Sequence, residues 1–126
     1  MDKVNVFLSY TLRGNDVDYL ILKKIKEQLQ ILEWLSVYID ILDNDSINHQ
    51  ERVFEELNRA NIVCIIQSIQ INNSIWVQKE LKHAKQKKIP ILWLSNQDVH
   101  EILEITSYEG LLQSLVLKKI LEKLYC

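Results

Sequence analysis

Glycine and proline are scarce, two and one in 126 residues. Such a chain has little material for flexible linkers or for a glycine-rich loop that wraps phosphates. Cysteine is equally scarce. Two thiols cannot hold a metal by themselves; Cys64 lies inside an apolar run, where a buried free thiol is expected, and Cys126 falls where chain ends fray. Nothing in this usage points to a disulfide scaffold or an oxidising compartment. Positive charge is not in excess: 15 Lys and Arg face 17 Asp and Glu, for a net charge of −2. That balance argues against a nucleic-acid binder whose affinity comes from neutralising phosphates. The basic stretches at Lys23-Lys24 and residues 85–88 sit near acidic residues on predicted helices and read as solvated faces. No apolar run approaches the ~18 residues of a membrane span, and the first ten residues lack a cleavable signal pattern. A cytoplasmic protein is expected, without membrane or nucleic-acid partners and without a resident metal or cofactor.

What is present is the balance of an ordinary globular protein, 48% hydrophobic and 25% charged. The length suits one domain over residues 1–126, large enough to bury roughly two-thirds of the surface its unfolded chain exposes. Val4-Asn5-Val6-Phe7-Leu8 and Ile62-Val63-Cys64-Ile65-Ile66 are short, β-branched and nearly continuous in apolarity, as buried strands are. Leu35-Ser36-Val37-Tyr38-Ile39 and residues 89–94 read as two more, with Pro90 at a strand start where its missing donor is tolerated. The polar stretch 11–16, with Gly14, is a turn, and the Asp- and Asn-rich stretch 40–49 a loop.

Between the strands the apolar period lengthens to three or four. A helix is predicted over 16–34, with Leu20, Ile21, Ile25, Leu29 and Leu32 inward, and another over 50–60, with Val53, Phe54 and Leu57 inward. Asn72-Asn73-Ser74 supplies N-cap residues for a helix carrying Trp76, Leu81 and Ala84 that runs to Lys88, its last turn cationic as the helix dipole favours. Beyond residue 94, residues 97–103 read as helical, Ile105-Thr106 as a short edge strand, and 108–124 as one amphipathic helix. Alternating strands and helices imply an α/β fold: a flavodoxin-like doubly wound parallel sheet, order 2-1-3-4-5, with helices on both faces. Ligands of such sheets bind beyond the carboxyl ends of the strands, which here means residues 9–13 and 67–76.

The residues at that edge carry a resemblance. Val6-Phe7-Leu8-Ser9-Tyr10 resembles the first motif of Toll/interleukin-1 receptor (TIR) domains, and Val37-Tyr38-Ile39-Asp40 looks like the strand leading into their BB loop. The segment from Ser74 through Trp76 and Glu80 to Leu81 is similar to the family's Ser-x-Trp-x-x-x-Glu-Leu helix start, and Ile89-Pro90-Ile91 to the strand after it. Together they span roughly three-quarters of the chain. Many TIR domains have a BB-loop glycine and residues 40–49 have none, so Asn44, Asp45 or Asn48 is expected to take a left-handed conformation.

The resemblance implies one of two functions, a protein-interaction module or an enzyme that breaks the nicotinamide–ribose bond of NAD+. In the enzymes the Glu of the Trp-x-x-x-Glu motif is catalytic, which here is Glu80. One carboxylate suffices for this bond, because the cationic pyridinium departs as neutral nicotinamide and needs no proton, unlike the leaving group of an ordinary glycoside. What remains is to stabilise an oxocarbenium ion.

Trp76, four residues before Glu80, shares its helix face and offers an indole for stacking; Tyr10 can extend that wall. Ser9 and Arg13 can meet ribose and pyrophosphate oxygens, and His83 can border the same face. Taken alone, Trp76 reads equally well as core, Arg13 as a surface charge and Glu80 as a solvated or Lys79- or His83-paired carboxylate. His49 and His100 show no ligand spacing. A receiver domain is disfavoured because the first strand ends in Ser-Tyr and the third in Gln67-Ser68, where acidic residues are needed. Stand-alone TIR proteins of this size resemble the signal-producing component of bacterial anti-phage defence of the Thoeris type. That likeness implies NAD+ as substrate rather than cofactor, an ADP-ribose-derived product, a separate effector protein, and homo-oligomeric TIR–TIR assembly.

Overall fold

The computed structural model describes residues 3–125; Cys126 lies outside them. In chain order the elements are β1 (Val4–Ser9), α1 (Tyr19–Leu29), β2 (Leu35–Tyr38), α2 (Asp40–Asp43), α3 (His49–Arg59), β3 (Ile62–Ile66), α4 (Ile75–Gln86), β4 (Ile91–Leu94), α5 (Asn96–Glu104), α6 (Tyr108–Leu112) and α7 (Leu115–Tyr125). The strands pair in parallel as one four-stranded sheet of order β2-β1-β3-β4. β1 is central, with Val6 opposite Val37 on one side and Ile62 on the other.

Alternation along the strands divides the interior in two. Val6, Leu8, Val37, Ile62, Cys64, Ile66 and Leu94 pack beneath α1, α5 and α7; Phe7, Tyr38, Val63 and Ile65 pack beneath α3 and α4. All five β3 residues are buried because both faces of the strand are covered, which explains its unbroken apolar run. Burial pushes the Cys64 thiol up to about 12, so it behaves as a small hydrophobe.

Helix α1 buries Leu22, Ile25 and Leu29, while Leu20 is exposed. The inward stripe therefore runs 22-25-29-32 with Ile21 half-buried beside it, as expected except that Leu22 takes the place of Leu20. Asp18 caps this helix, its Oδ1 accepting from the Ile21 amide at 2.9 Å. Lys88, at φ +59°, makes the left-handed exit from α4 that glycine more often supplies.

Three expectations change in the tertiary setting. The fifth strand at Ile105-Thr106 is not formed. Ile105 is buried, its amide bonds back to Ile102 at the end of α5, and its carbonyl accepts from the Gln28 side chain, so its backbone has no groups left for a ladder. The long C-terminal helix is two, α6 and α7, broken at Gln113-Ser114. Glu101 of α5 accepts from the amides of Leu115 (3.1 Å) and Val116 (2.8 Å) and caps α7 from outside. Residues 40–49 contain the short helix α2 and no left-handed residue. The turn is made by a side chain: the Asn44 amide donates to Asp40 Oδ1 (2.7 Å) and to the His49 carbonyl (3.1 Å), and Asn44 Oδ1 accepts from the Ser46 amide (3.1 Å).

Candidate functional site

Strand order reverses beside β1, since β2 lies on one flank and β3 on the other. The loops leaving β1 and β3 therefore diverge and then meet over the sheet edge. Asp16 Oδ2 accepts from the Ile69 amide at 2.8 Å, and Gly14, at φ +87°, comes so near Gln70 that a Cβ would lie 3.1 Å from its Cγ. Next to this junction opens a cleft of about 700 Å³, within the ~300–1,000 Å³ of small-molecule and cofactor sites. Tyr10, Thr11 and Arg13 reach it from the β1 loop, Asp40 from the end of β2, His49 and Val53 from α3, and Ser74, Trp76, Lys79 and Glu80 from the start of α4.

Glu80 is the buried acid of this wall, 8% exposed. Its Oε1 accepts from the Ser9 hydroxyl at 2.8 Å, and no cation pairs with it among the described residues; Lys79 and His83, its sequence neighbours, are both turned to other partners. Burial, the largest cause, pushes the Glu80 carboxyl up to about 7. The Ser9 hydrogen bond pulls it down, and the charge of Asp40 adds to the rise. A carboxyl poised there can exchange between acid and base near neutral pH and can face a developing cation.

The expected site residues separate into two groups. Glu80, Trp76, Tyr10 and Arg13 share the cleft. Trp76 is 44% exposed, so it belongs to the cleft rim rather than to the core, and Lys79 Nζ stands 4.9 Å from its ring centroid. Tyr10 is anchored through its hydroxyl, which accepts from the Ile41 amide at 3.0 Å; burial first and nearby acids next push it up to about 12, so it stays a neutral phenol. Ser9 is not among the lining residues. It is 2% exposed and its hydroxyl is engaged by Glu80. His83 is not there either: Nε2 lies 2.8 Å from Asn58 Oδ1 and the ring leans on Phe54 at 5.1 Å, because it lies a turn further along α4, away from the cleft at the helix start.

Asp40, His49 and Lys79 line the cleft without having been assigned a role there. Asp40 Oδ1 accepts from the Tyr38 hydroxyl (2.8 Å) and from Asn44, which orients it. His49 opens α3 just after the N-cap Asn48, whose Oδ1 accepts from the Glu51 amide at 3.1 Å. An N-cap one loop beyond a strand end is the signal that could have pointed to His49, since helices of this fold begin at the ligand edge. Both α3 and α4 open on the cleft, so their amide ends, with Arg13 and Lys79, favour a ligand that carries negative charge. No group of His, Cys, Asp and Glu suited to a metal ion occurs among the described residues. No helix among them is long and apolar enough to cross a membrane.

The chain matches no model of a known protein family, and no curated protein matches it.

Proposed function

We propose that this chain is a TIR-type enzyme that cleaves the nicotinamide–ribose bond of NAD+, with Glu80 as the carboxylate on which turnover depends. The observation that carries the reading is the burial of Glu80 in the wall of a cleft shared with Trp76, Tyr10 and Arg13. A parallel sheet of order β2-β1-β3-β4 supports it, because the motif-like segments then fall at the end of β1, the end of β2, the start of α4 and the approach to β4. The flavodoxin-like relation belongs to the same proposal, with the fifth strand reduced to the irregular segment at Ile105.

In this reading Trp76 stacks on a flat ring of the dinucleotide, and Arg13 and Lys79 meet its pyrophosphate. The bond between ribose C1′ and the pyridinium nitrogen breaks, and its electron pair leaves with nicotinamide, cancelling the positive charge on that ring. The Glu80 carboxylate faces the cation left at C1′. Water adds there and loses a proton, giving ADP-ribose, or an internal nucleophile adds and gives a cyclic isomer. The product serves as a signal to a separate effector in bacterial anti-phage defence, and the enzyme works as a homo-oligomeric TIR–TIR assembly in the cytoplasm.

A second reading, a non-catalytic interaction module, draws on one observation: Ile47, Ile69 and Ile75 are strongly exposed apolar side chains. The two readings separate on incubation of concentrated protein with NAD+ beside the Glu80→Gln variant. Nicotinamide release by the wild type alone supports the enzyme. Equal release by both overturns the role given to Glu80, and none by either even with infected-cell extract added favours the interaction module.

A further inference from the structure

Ser9 was expected to touch substrate, and its surroundings assign it a different task. Alternation along β1 sends Val6 and Leu8 to one side of the sheet and Phe7 to the other, beneath α3 and α4. Ser9 follows Phe7 by two and so faces α4. Its main chain is held opposite Ile65 of β3, its side chain is sealed from solvent, and its hydroxyl proton goes to Glu80 Oε1 at 2.8 Å across 71 residues of sequence. Glu80 Oε2 has no hydrogen-bond partner among the described residues and is not a sealed atom. One carboxylate oxygen is thus tied to the end of the central strand and the other is left to the cleft.

We infer that Ser9 is a positioning residue: its hydroxyl holds the Glu80 carboxyl in a single orientation, with Oε1 bound and Oε2 available to the reacting ribose. The inference rests on the reading of Glu80 as the essential carboxylate. A hydroxyl has one proton to donate, and an ionised carboxylate accepts it more strongly than a neutral acid, so the same contact favours the charged form that catalysis needs. The other groups lining the cleft around Glu80 are Tyr10 and Arg13 from the β1 loop, Asp40 from the start of α2, His49 from α3 and Lys79 from α4. Asp40 opposes ionisation, as does burial, and Ser9 is the hydrogen-bond donor that favours it.

The test compares Ser9→Ala and Ser9→Thr in the full chain by two readouts. The first is kcat and KM for nicotinamide release across the neutral pH range. The second is a carbon NMR titration of the Glu80 carboxyl, its signal identified by its loss in Glu80→Gln. Losing one hydrogen bond to a charged group moves the carboxyl titration up by about one pH unit, and kcat near pH 7 falls about fivefold with the ionised fraction. The loss recovers as pH rises, KM is unchanged because Ser9 does not line the cleft, and the Thr variant restores both readouts.

A titration midpoint in Ser9→Ala equal to that of the wild type overturns the inference. So does a loss confined to KM, which would make Ser9 a substrate contact. If the Ala variant shows no cooperative melting, Ser9→Cys, similar in size and a weaker donor, takes its place in both readouts. Absence of turnover in the wild type would remove the enzyme reading and leave the NMR arm to decide the Ser9–Glu80 contact by itself.

Discussion

In the Glu80→Gln variant an amide of nearly the same shape replaces the carboxyl, and the Ser9 hydroxyl can still donate to its oxygen. What disappears is the charge. The folded protein holds the Glu80 proton up to about 7, against an ordinary value of 4.5. Between those two values the native state therefore binds more protons than the unfolded chain, and the contribution of Glu80 to stability falls as pH rises through that window. At ~1.4 kcal/mol per pH unit, the span from 4.5 to about 7 amounts to about 3 kcal/mol of burial cost, present in full above neutrality. An amide escapes that cost.

Glu80→Gln is thus expected to be more stable than the wild type by about 1–3 kcal/mol near pH 8, the lower end allowing for water reaching Oε2 from the cleft. The gap should close toward about pH 5, where the wild-type carboxyl is also neutral. For a domain of this size each kcal/mol is worth roughly 3–5 °C of Tm, so calorimetry at the two pH values resolves the difference easily. A variant that gains stability while losing turnover is the pattern of a site residue held in an unfavourable state for function. Equal or lower Tm for Glu80→Gln near pH 8, or a gap that does not change with pH, would refute the argument.

Trp76→Ala should leave the melting transition nearly in place, since the indole is half exposed at the cleft rim, and should raise KM for NAD+ about tenfold through loss of a stacking surface, measured by steady-state nicotinamide release. Glu101→Ala removes the external cap of α7, which accepts from the amides of Leu115 and Val116. A destabilisation of about 1–2 kcal/mol is expected in denaturant unfolding, with turnover intact because α5 and α7 cover the face of the sheet away from the cleft.

Much of the architecture is local in origin. The buried strands β1 and β3 are legible because continuous β-branched runs have few other homes, and the helices α3 and α4 because their apolar residues recur every three or four positions, α4 behind a capping Ser74. The first residue of the α1 stripe was less legible. Leu20 and Leu22 are equally apolar, and only packing against the sheet selects Leu22. Glu80 was singled out only by the resemblance of its segment to a TIR motif; its four-residue spacing from Trp76 adds that the two share one helix face.

Contacts between distant segments settled the rest. The break between α6 and α7 depends on Glu101, which lies on another helix, and the loss of a fifth strand depends on Ile105 being drawn into the core beside Gln28. The turn after β2 depends on an Asn44 side chain reaching both Asp40 and His49, so the absent glycine did not require a left-handed residue. Above all, Ser9 and Glu80 stand 71 residues apart and touch because β1 ends beneath α4. Periodicity in a chain reports which side of an element is buried, since that depends only on neighbours along the sequence. Which buried groups meet, and whether a carboxyl finds a lysine, a histidine or a serine, depends on how the layers close, and that is decided only when the whole sheet and both its faces are assembled.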